Sequence, residues 1–217
     1  MTLKFDEINK LNDTYKLADK ANKLLKKKTT KRLAKCKGSL VLLLWLTDEV
    51  LKKVTSLYAE IDRDAEKALL DVAKETYRRC ATGGVIPDEK WLNKEILKSP
   101  CPTTGYVYDN ESERKKDKAI EAITAVKKSA DKAYTLIKHI GYRQTQTEFY
   151  TDYVTDKAML KAYADADVKQ VKWVTMKDEK TCSDCETLDG KIFDINNIPD
   201  KPHPRCRCVL VPVKSQG

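Results

Sequence analysis

Glycine and proline are scarce, with seven of each in 217 residues. A low-complexity or loop-dominated chain would carry far more, so the composition points to a helix-rich protein. Histidine is scarcer still. A Ser-His-Asp type site would have to use His139 or His203, and no nucleophile elbow or phosphate-loop pattern accompanies either. Long apolar runs are missing too. The segment Leu40–Leu46 (LVLLLWL) has seven residues, against the roughly twenty a membrane-crossing helix needs. It reads as a buried helix segment, and no membrane span is expected. The chain opens polar and charged, without the apolar stretch of a secretory signal. Its seven cysteines are an odd number. Together these favour a reducing interior with metal-bound thiolates over a disulfide framework.

What is abundant is charge: 35% of residues, with a formal net charge of +9. The excess is local. Residues 1–40 hold twelve Lys and Arg against four Asp and Glu, whereas residues 41–217 hold thirty against twenty-nine. The basic stretch is Lys16, Lys20, Lys23, Lys26, Lys27, Lys28, Lys31, Arg32, Lys35 and Lys37, with Asp19 as its one acid. Such an arm suits phosphate or another acidic surface. The plainer alternative is a solvated helix face whose lysine stems cover apolar neighbours.

Apolar spacing predicts helix over 2–35, with Phe5, Ile8, Leu11, Tyr15, Ala18, Ala21 and Leu25 on one face and the stripe broken at Lys26–Thr30. A longer helix is expected from about Ser39 to Cys80, stopped near Gly83-Gly84. Residues 81–112 carry most of the Gly and Pro and read as a connection with one short helix near Trp91, Ile96 and Leu97. Helical spacing returns from Glu113 to His139, at Ile120, Ile123, Val126, Ala130, Ala133, Tyr134 and Ile137. Gly141 is expected to end or bend it before a further helix from about Arg143 to Asp165. Strands are expected at 168–176 and 207–213, with a third at 191–193. The fold class is therefore α+β: a mostly helical N-terminal part, then helices and a small β-rich C-terminal module. The expected divisions are 1–80, 81–112 and 113–217, with the module at 168–213.

Five soft metal donors crowd that module. Cys182-Ser-Asp-Cys185 is followed, after seventeen residues, by His203-Pro-Arg-Cys206-Arg-Cys208. Two close donor pairs across a loop of this length are the spacing of a closed tetrahedral zinc site. Four donors suffice: Cys182, Cys185, His203 and Cys206, with Cys208 able to replace Cys206 or His203. The segment 177–208 has few large apolar residues. A structural zinc ion, one per chain, would supply the order, being worth roughly 10–16 kcal/mol in small finger peptides. A thioredoxin-like role for the Cys-x-x-Cys pair is disfavoured because a turn-and-strand signal, Leu188-Asp189-Gly190-Lys191, follows it. Asp184 and Glu186 are the nearby acids a catalytic zinc would need. Carboxylates beside such a knuckle are usually solvated.

The C-terminal half resembles the phage minor head protein family typified by protein F of phage Mu, also called head morphogenesis proteins. The residues that carry the resemblance begin with Arg143-Gln-Thr-Gln-Thr147-Glu148 and Lys172-Trp173-Val-Thr-Met-Lys-Asp178. Thr181-Cys182-Ser-Asp-Cys185, Leu188-Asp189-Gly190-Lys191-Ile-Phe193 and His203-Pro204-Arg-Cys206-Arg207-Cys208 follow, over about 105–213. The family's Arg-Thr-Glu motif is usually contiguous; here Arg143 stands three residues further out. The resemblance implies a non-enzymatic minor component of a tailed-phage head, acting in head assembly and genome delivery. The implied partners are the portal, a capsid or scaffold protein, and double-stranded DNA bound without sequence preference. The implied location is the head interior near the portal, after assembly in the host cytoplasm. Two other classes stand beside it: a zinc-containing nucleic-acid-binding protein acting through its basic arm, and an enzyme, either a zinc hydrolase or a thiol oxidoreductase.

Overall fold

The computed structural model describes residues 5–40, 48–81, 88–101, 107–126, 129–203 and 205–213. Four long helices make the body: α1 (Phe5–Leu40), α2 (Asp48–Cys80), α4 (Tyr108–Ala125) and α5 (Ser129–Asp165). Between α2 and α4, α3 (Glu89–Trp91) runs into a π-helical turn, Leu92–Leu97. After α5 come β1 (Gln170–Val174), the short helix α6 (Ser183–Leu188), β2 (Ile192–Asp194) and β3 (Val209–Pro212). The α+β class holds. The run at 41–46 and the Gly83-Gly84 stop lie outside the described residues.

Two apolar clusters hold the helices together. At one end Val54, Leu57, Tyr58 and Ile61 of α2 meet Ala119 and Ile123 of α4 and Leu136 and Ile140 of α5. Further along, Leu69, Ala73 and Tyr77 of α2 meet Tyr150, Val154 and Ala158 of α5, with Leu25 of α1 and Ile96 of the π turn. Rising residue numbers in both helices across the two clusters show that α2 and α5 run parallel. Leu33 sits against the first cluster and Leu25 in the second, so α1 runs the other way. Inside the second half of α5, Thr147, Thr151 and Thr155 form a buried column. Each hydroxyl donates to the carbonyl four residues back, at 3.0, 2.7 and 2.9 Å. The hydroxyls thus need no water, and the helix can face apolar neighbours on that side.

Two sequence expectations about helix ends are corrected. Ser39 and Leu40 belong to α1, and the helix expected from about Ser39 to Cys80 is α2, described from Asp48. The α5 helix runs straight through Gly141, and the interruption comes earlier, at Val126 (φ −85°, ψ 126°). That break resets the helical phase. Counting on from Ile123 put Tyr134 and Ile137 inward, but they are 69% and 51% exposed; Leu136, Ile140 and Arg143 point inward instead. One glycine costs a helix interior only about 1 kcal/mol, too little to break a helix packed along its length.

The sheet is antiparallel with order β2-β1-β3. Trp173 of the central strand pairs with Leu210, and Lys172 lies opposite both Ile192 and Val211. Val171 and Trp173 alternate with less buried neighbours, as one-face burial requires. Their inner face packs on Met159 and Tyr163 of α5, and Tyr163 Oη donates to the Leu210 carbonyl at 3.3 Å. The donor-bearing loops hang from this small sheet.

Candidate metal centre

Cys182 caps the N-terminus of α6. Its sulfur accepts from the Cys185 backbone N–H at 3.4 Å, so both thiols share one turn. This differs from the sequence expectation of a turn without a helix. The Cys-x-x-Cys pair does open a helix after a strand, and the argument against redox chemistry from that source falls away. The surroundings now carry the discrimination. Across the loop, Arg205 adopts a left-handed backbone (φ 60°) between His203 and Cys206. A non-glycine residue there pays of order 1 kcal/mol or more. Arg205 is held by an ion pair to Glu148, and its guanidinium lies 5.4 Å from the Phe149 ring centre. That turn swings His203 and Cys206 onto Cys185.

The outcome is a shared centre. Cys185 Sγ lies 3.4 Å from His203 Nε2 and 3.5 Å from Cys206 Sγ. Cys182, Cys185 and His203 form one donor group, and Cys185, Cys206 and Cys208 a second, each with its atoms within 4.8 Å of one another. All five residues singled out in the sequence are thereby brought together. Tetrahedral zinc, with bonds of ~2.3 Å to sulfur and ~2.0 Å to nitrogen, holds its donors ~3.5–3.8 Å apart; the observed separations are close to that. Such a Cys/His group can hold a metal ion.

The electrostatics agree with a cation. Burial, with the neighbouring Cys182, pushes the Cys185 thiol up to about 12. The hydrogen bond to Cys208, and then burial, push Cys206 up further. Cys182 is lowered, first by the Cys185 backbone N–H, and Cys208 is lowered by its bond from Cys206. Sulfurs packed this closely cannot all ionise without a positive partner. Trp173 Nε1, buried in the same cluster, makes no hydrogen bond of good geometry to a described residue but lies close enough to Cys208 to help lower that thiol; a metal-held thiolate is an acceptor suited to it.

Supporting contacts fix the loops. Asp189 Oδ1 accepts from the Thr175 backbone N–H at 2.9 Å and its hydroxyl at 3.1 Å, tying the α6–β2 turn to the end of β1. Arg207 makes a two-pronged pair with Asp178, at 2.7 and 2.6 Å. Lys201, 11% exposed, donates to Asp156 at 2.8 Å, to Tyr15 Oη at 3.0 Å and to the Cys206 carbonyl at 3.3 Å. Tyr15 in turn donates to Asp156. One buried ammonium thus joins α1, α5 and the donor loop. No sequence signal pointed to this cluster, nor to the internal ion pairs that engage Arg205 and Arg207. Asp184 and Glu186 are exposed. His139 is inside α5 rather than at a helix end, edge-on to Tyr142 at 5.8 Å. Cys80 and Cys101 belong to neither donor group.

The basic residues of α1 are far from uniform. Lys16, Lys20, Lys23, Lys27 and Lys31 are exposed. At 100° per residue they fall within an arc of about 80° and span about 22 Å. Buried Ala18, Leu25 and Thr29 lie on the opposite face. Lys26 and Lys28 are exposed on either flank. Arg32 turns the other way, pairing with Glu60 and with Asp64 at 2.9 Å on α2. The side chains of Lys35 and Lys37 lie outside the described residues.

Arg143, from the displaced family motif, is fully buried. Its Nε donates to Asp62 at 2.8 Å, Nη1 donates to Thr147 Oγ1 at 3.1 Å, and the guanidinium lies 4.5 Å from the Tyr108 ring centre. It joins α2, α4 and α5. Comparison with known proteins matches residues 113–211 to the family described as Phage Mu protein F like protein. No curated protein and no solved structure matches. The matched segment, a little under half of the chain, holds Arg143, the whole sheet but its last residue, and all five donors, and over it this protein is similar to the Phage Mu protein F like family.

Proposed function

We propose that the protein is a minor structural component of a tailed-phage head. In this reading the helical body presents a lysine stripe, and a zinc-pinned C-terminal module serves as a rigid docking part for the portal. The carrying observation is the similarity of residues 113–211 to the Phage Mu protein F like family together with the convergence of the five donors within that segment. We assign one zinc ion to Cys182, Cys185, His203 and Cys206, with Cys208 as the spare donor. When bound, the ion supplies cross-linking of two loops and neutralises the thiolates. The chain's own residues do the rest. The Arg205 turn presents His203, Asp189 locks the α6–β2 corner, and Lys201 ties the donor loop to the helices. Four filled positions leave no place for a substrate, which favours assembly over catalysis. The expected place is the virion head near the portal, reached from the host cytoplasm, with a capsid or scaffold protein as a further contact.

The deciding experiment is co-purification with the portal protein of the same phage, before and after metal removal. A complex that forms only with metal present supports the reading; absence of any complex with portal, capsid and scaffold proteins alike refutes it.

The lysine stripe favours a second activity within the same particle, sequence-independent binding of duplex DNA. Five phosphate contacts predict a slope of log affinity against log salt of about −4.5. Replacing Lys16, Lys20, Lys23, Lys27 and Lys31 by Gln should flatten it. Unchanged binding by that variant would make the stripe a solvated face only.

A further inference from the structure

An open cavity of about 310 Å³ lies between α5 and the loop 198–206. Phe149, Tyr153, Leu160 and Ile198 give it apolar walls. Its size is at the low end of small-molecule sites, right for a side chain and small for a cofactor.

The charges around it are unequally matched. Three cations line the cavity, and each already has a carboxylate. Lys157 lies 3.3 Å from Glu95, Lys201 holds Asp156, and Arg205 holds Glu148. Asp152 also lines the cavity, one helical turn before Asp156. Half-buried, it makes no hydrogen bond or ion pair with any described residue, and the attraction it feels from Lys201 and Arg205 is shared with their own carboxylates. A carboxylate withdrawn from water without a donor is costly, and a cation entering from outside removes that cost. An anion would find no unengaged cation here. A metal ion is disfavoured, because Asp152 belongs to no described group of three or more donors, and of the other lining carboxylates Asp156 is held by Lys201 and Asp200 is exposed.

We propose that this cavity is a socket for one basic side chain of a partner protein. Asp152 takes the guanidinium or ammonium head, and Phe149, Leu160 and Ile198 sheathe the aliphatic stem. Arginine suits it best, since a planar fork can bind a carboxylate two-pronged. An anchor of this kind, one charged tip in an apolar-walled pocket, is how a few residues come to dominate an interface. The assignment concerns the cavity alone and stands or falls separately from the portal reading.

The test uses the whole metal-loaded chain and three blocked tripeptides, Gly-Arg-Gly, Gly-Lys-Gly and Gly-citrulline-Gly, followed by NMR at the Leu160 and Ile198 methyls. Citrulline has arginine's shape without its charge. The expected result is saturable binding of the arginine peptide, weakened about tenfold or more by citrulline or by Asp152→Asn. Equal binding of the citrulline peptide overturns the proposal without any variant being needed. So does unchanged binding by Asp152→Asn, or shifts confined to other methyls. A free diamine, butane-1,4-diamine, that binds more tightly than either charged peptide would make this a polyamine site and overturn the partner assignment.

Discussion

Replacing the five donors one at a time should give a rank order set by their geometry. Cys185 belongs to both donor groups and lies within 3.5 Å of a donor on the opposite loop. Cys208 belongs to one group only, and its loss leaves a complete set of four. Structural zinc is worth roughly 10–16 kcal/mol in finger peptides, so one ligand of four carries roughly 3–4 kcal/mol, two to three decades of affinity. Cys182→Ser should lose about that much, and His203→Ala and Cys206→Ser less, because Cys208 can take either place. Cys185→Ser should lose more, because the two loops then share no donor. Cys208→Ser should keep one metal per chain within about tenfold of the original affinity. The assay is metal content after dialysis against chelators of graded strength. Trp173, fully buried in the same cluster, gives an independent fluorescence signal of local order. A Cys208→Ser protein as depleted as Cys182→Ser would refute the ligand set. A Cys185→Ser protein that keeps its metal would refute the shared centre itself.

Arg143→Met should cost about 3–5 kcal/mol in denaturant unfolding, since it strands Asp62 beside a dry core, and the double variant Asp62→Leu/Arg143→Met should recover most of it. A single-variant cost below about 1 kcal/mol would show that the buried pair is not formed. Burial pushes the Asp152 carboxyl up to about 7, with Lys201 opposing and Asp156 and Asp19 reinforcing the shift. The folded state therefore holds a proton that the unfolded chain releases near pH 4, and this group makes the protein less stable as pH rises from about 4 to 7. Asp152→Asn should accordingly be no more stable than the parent at pH 4 and about 2–4 kcal/mol more stable at pH 8; a difference that does not change with pH would contradict the burial. Gly141→Ala should raise stability by about 0.5–1 kcal/mol, because the added methyl group meets nothing within 4 Å in mid-helix. A loss in thermal melting would mean that α5 bends there after all.

The donors were legible in the sequence because metal-ligand spacing is a local property. Cys182 and Cys185 need only one turn, and His203-x-x-Cys206 only another. The strands were legible for the same reason, each carrying its own alternation. The partners of Arg143, Lys201 and Arg205 were not. Asp62 lies 81 residues before Arg143, and Tyr15 lies 186 residues before Lys201. A single chain offers no period that joins positions so far apart. The helix break at Val126 was missed on different grounds. No glycine or proline marks it, and two lysines follow, which any helix would accept. Misplacing it carried the error forward into the inward face of α5, where Leu136 and Ile140 were passed over for Tyr134 and Ile137.

The Lys201 cluster has a mechanical consequence. Tyr15 lies one residue before the first lysine of the stripe, and the ammonium that grips it also grips the Cys206 carbonyl. A load pulling on α1, such as a polymer dragged across its outer face, would therefore reach the thiol-bearing loop through a single buried charge. That loop then shares the tension on the first helix with the Arg32 ion pairs and with the Leu25 and Leu33 contacts.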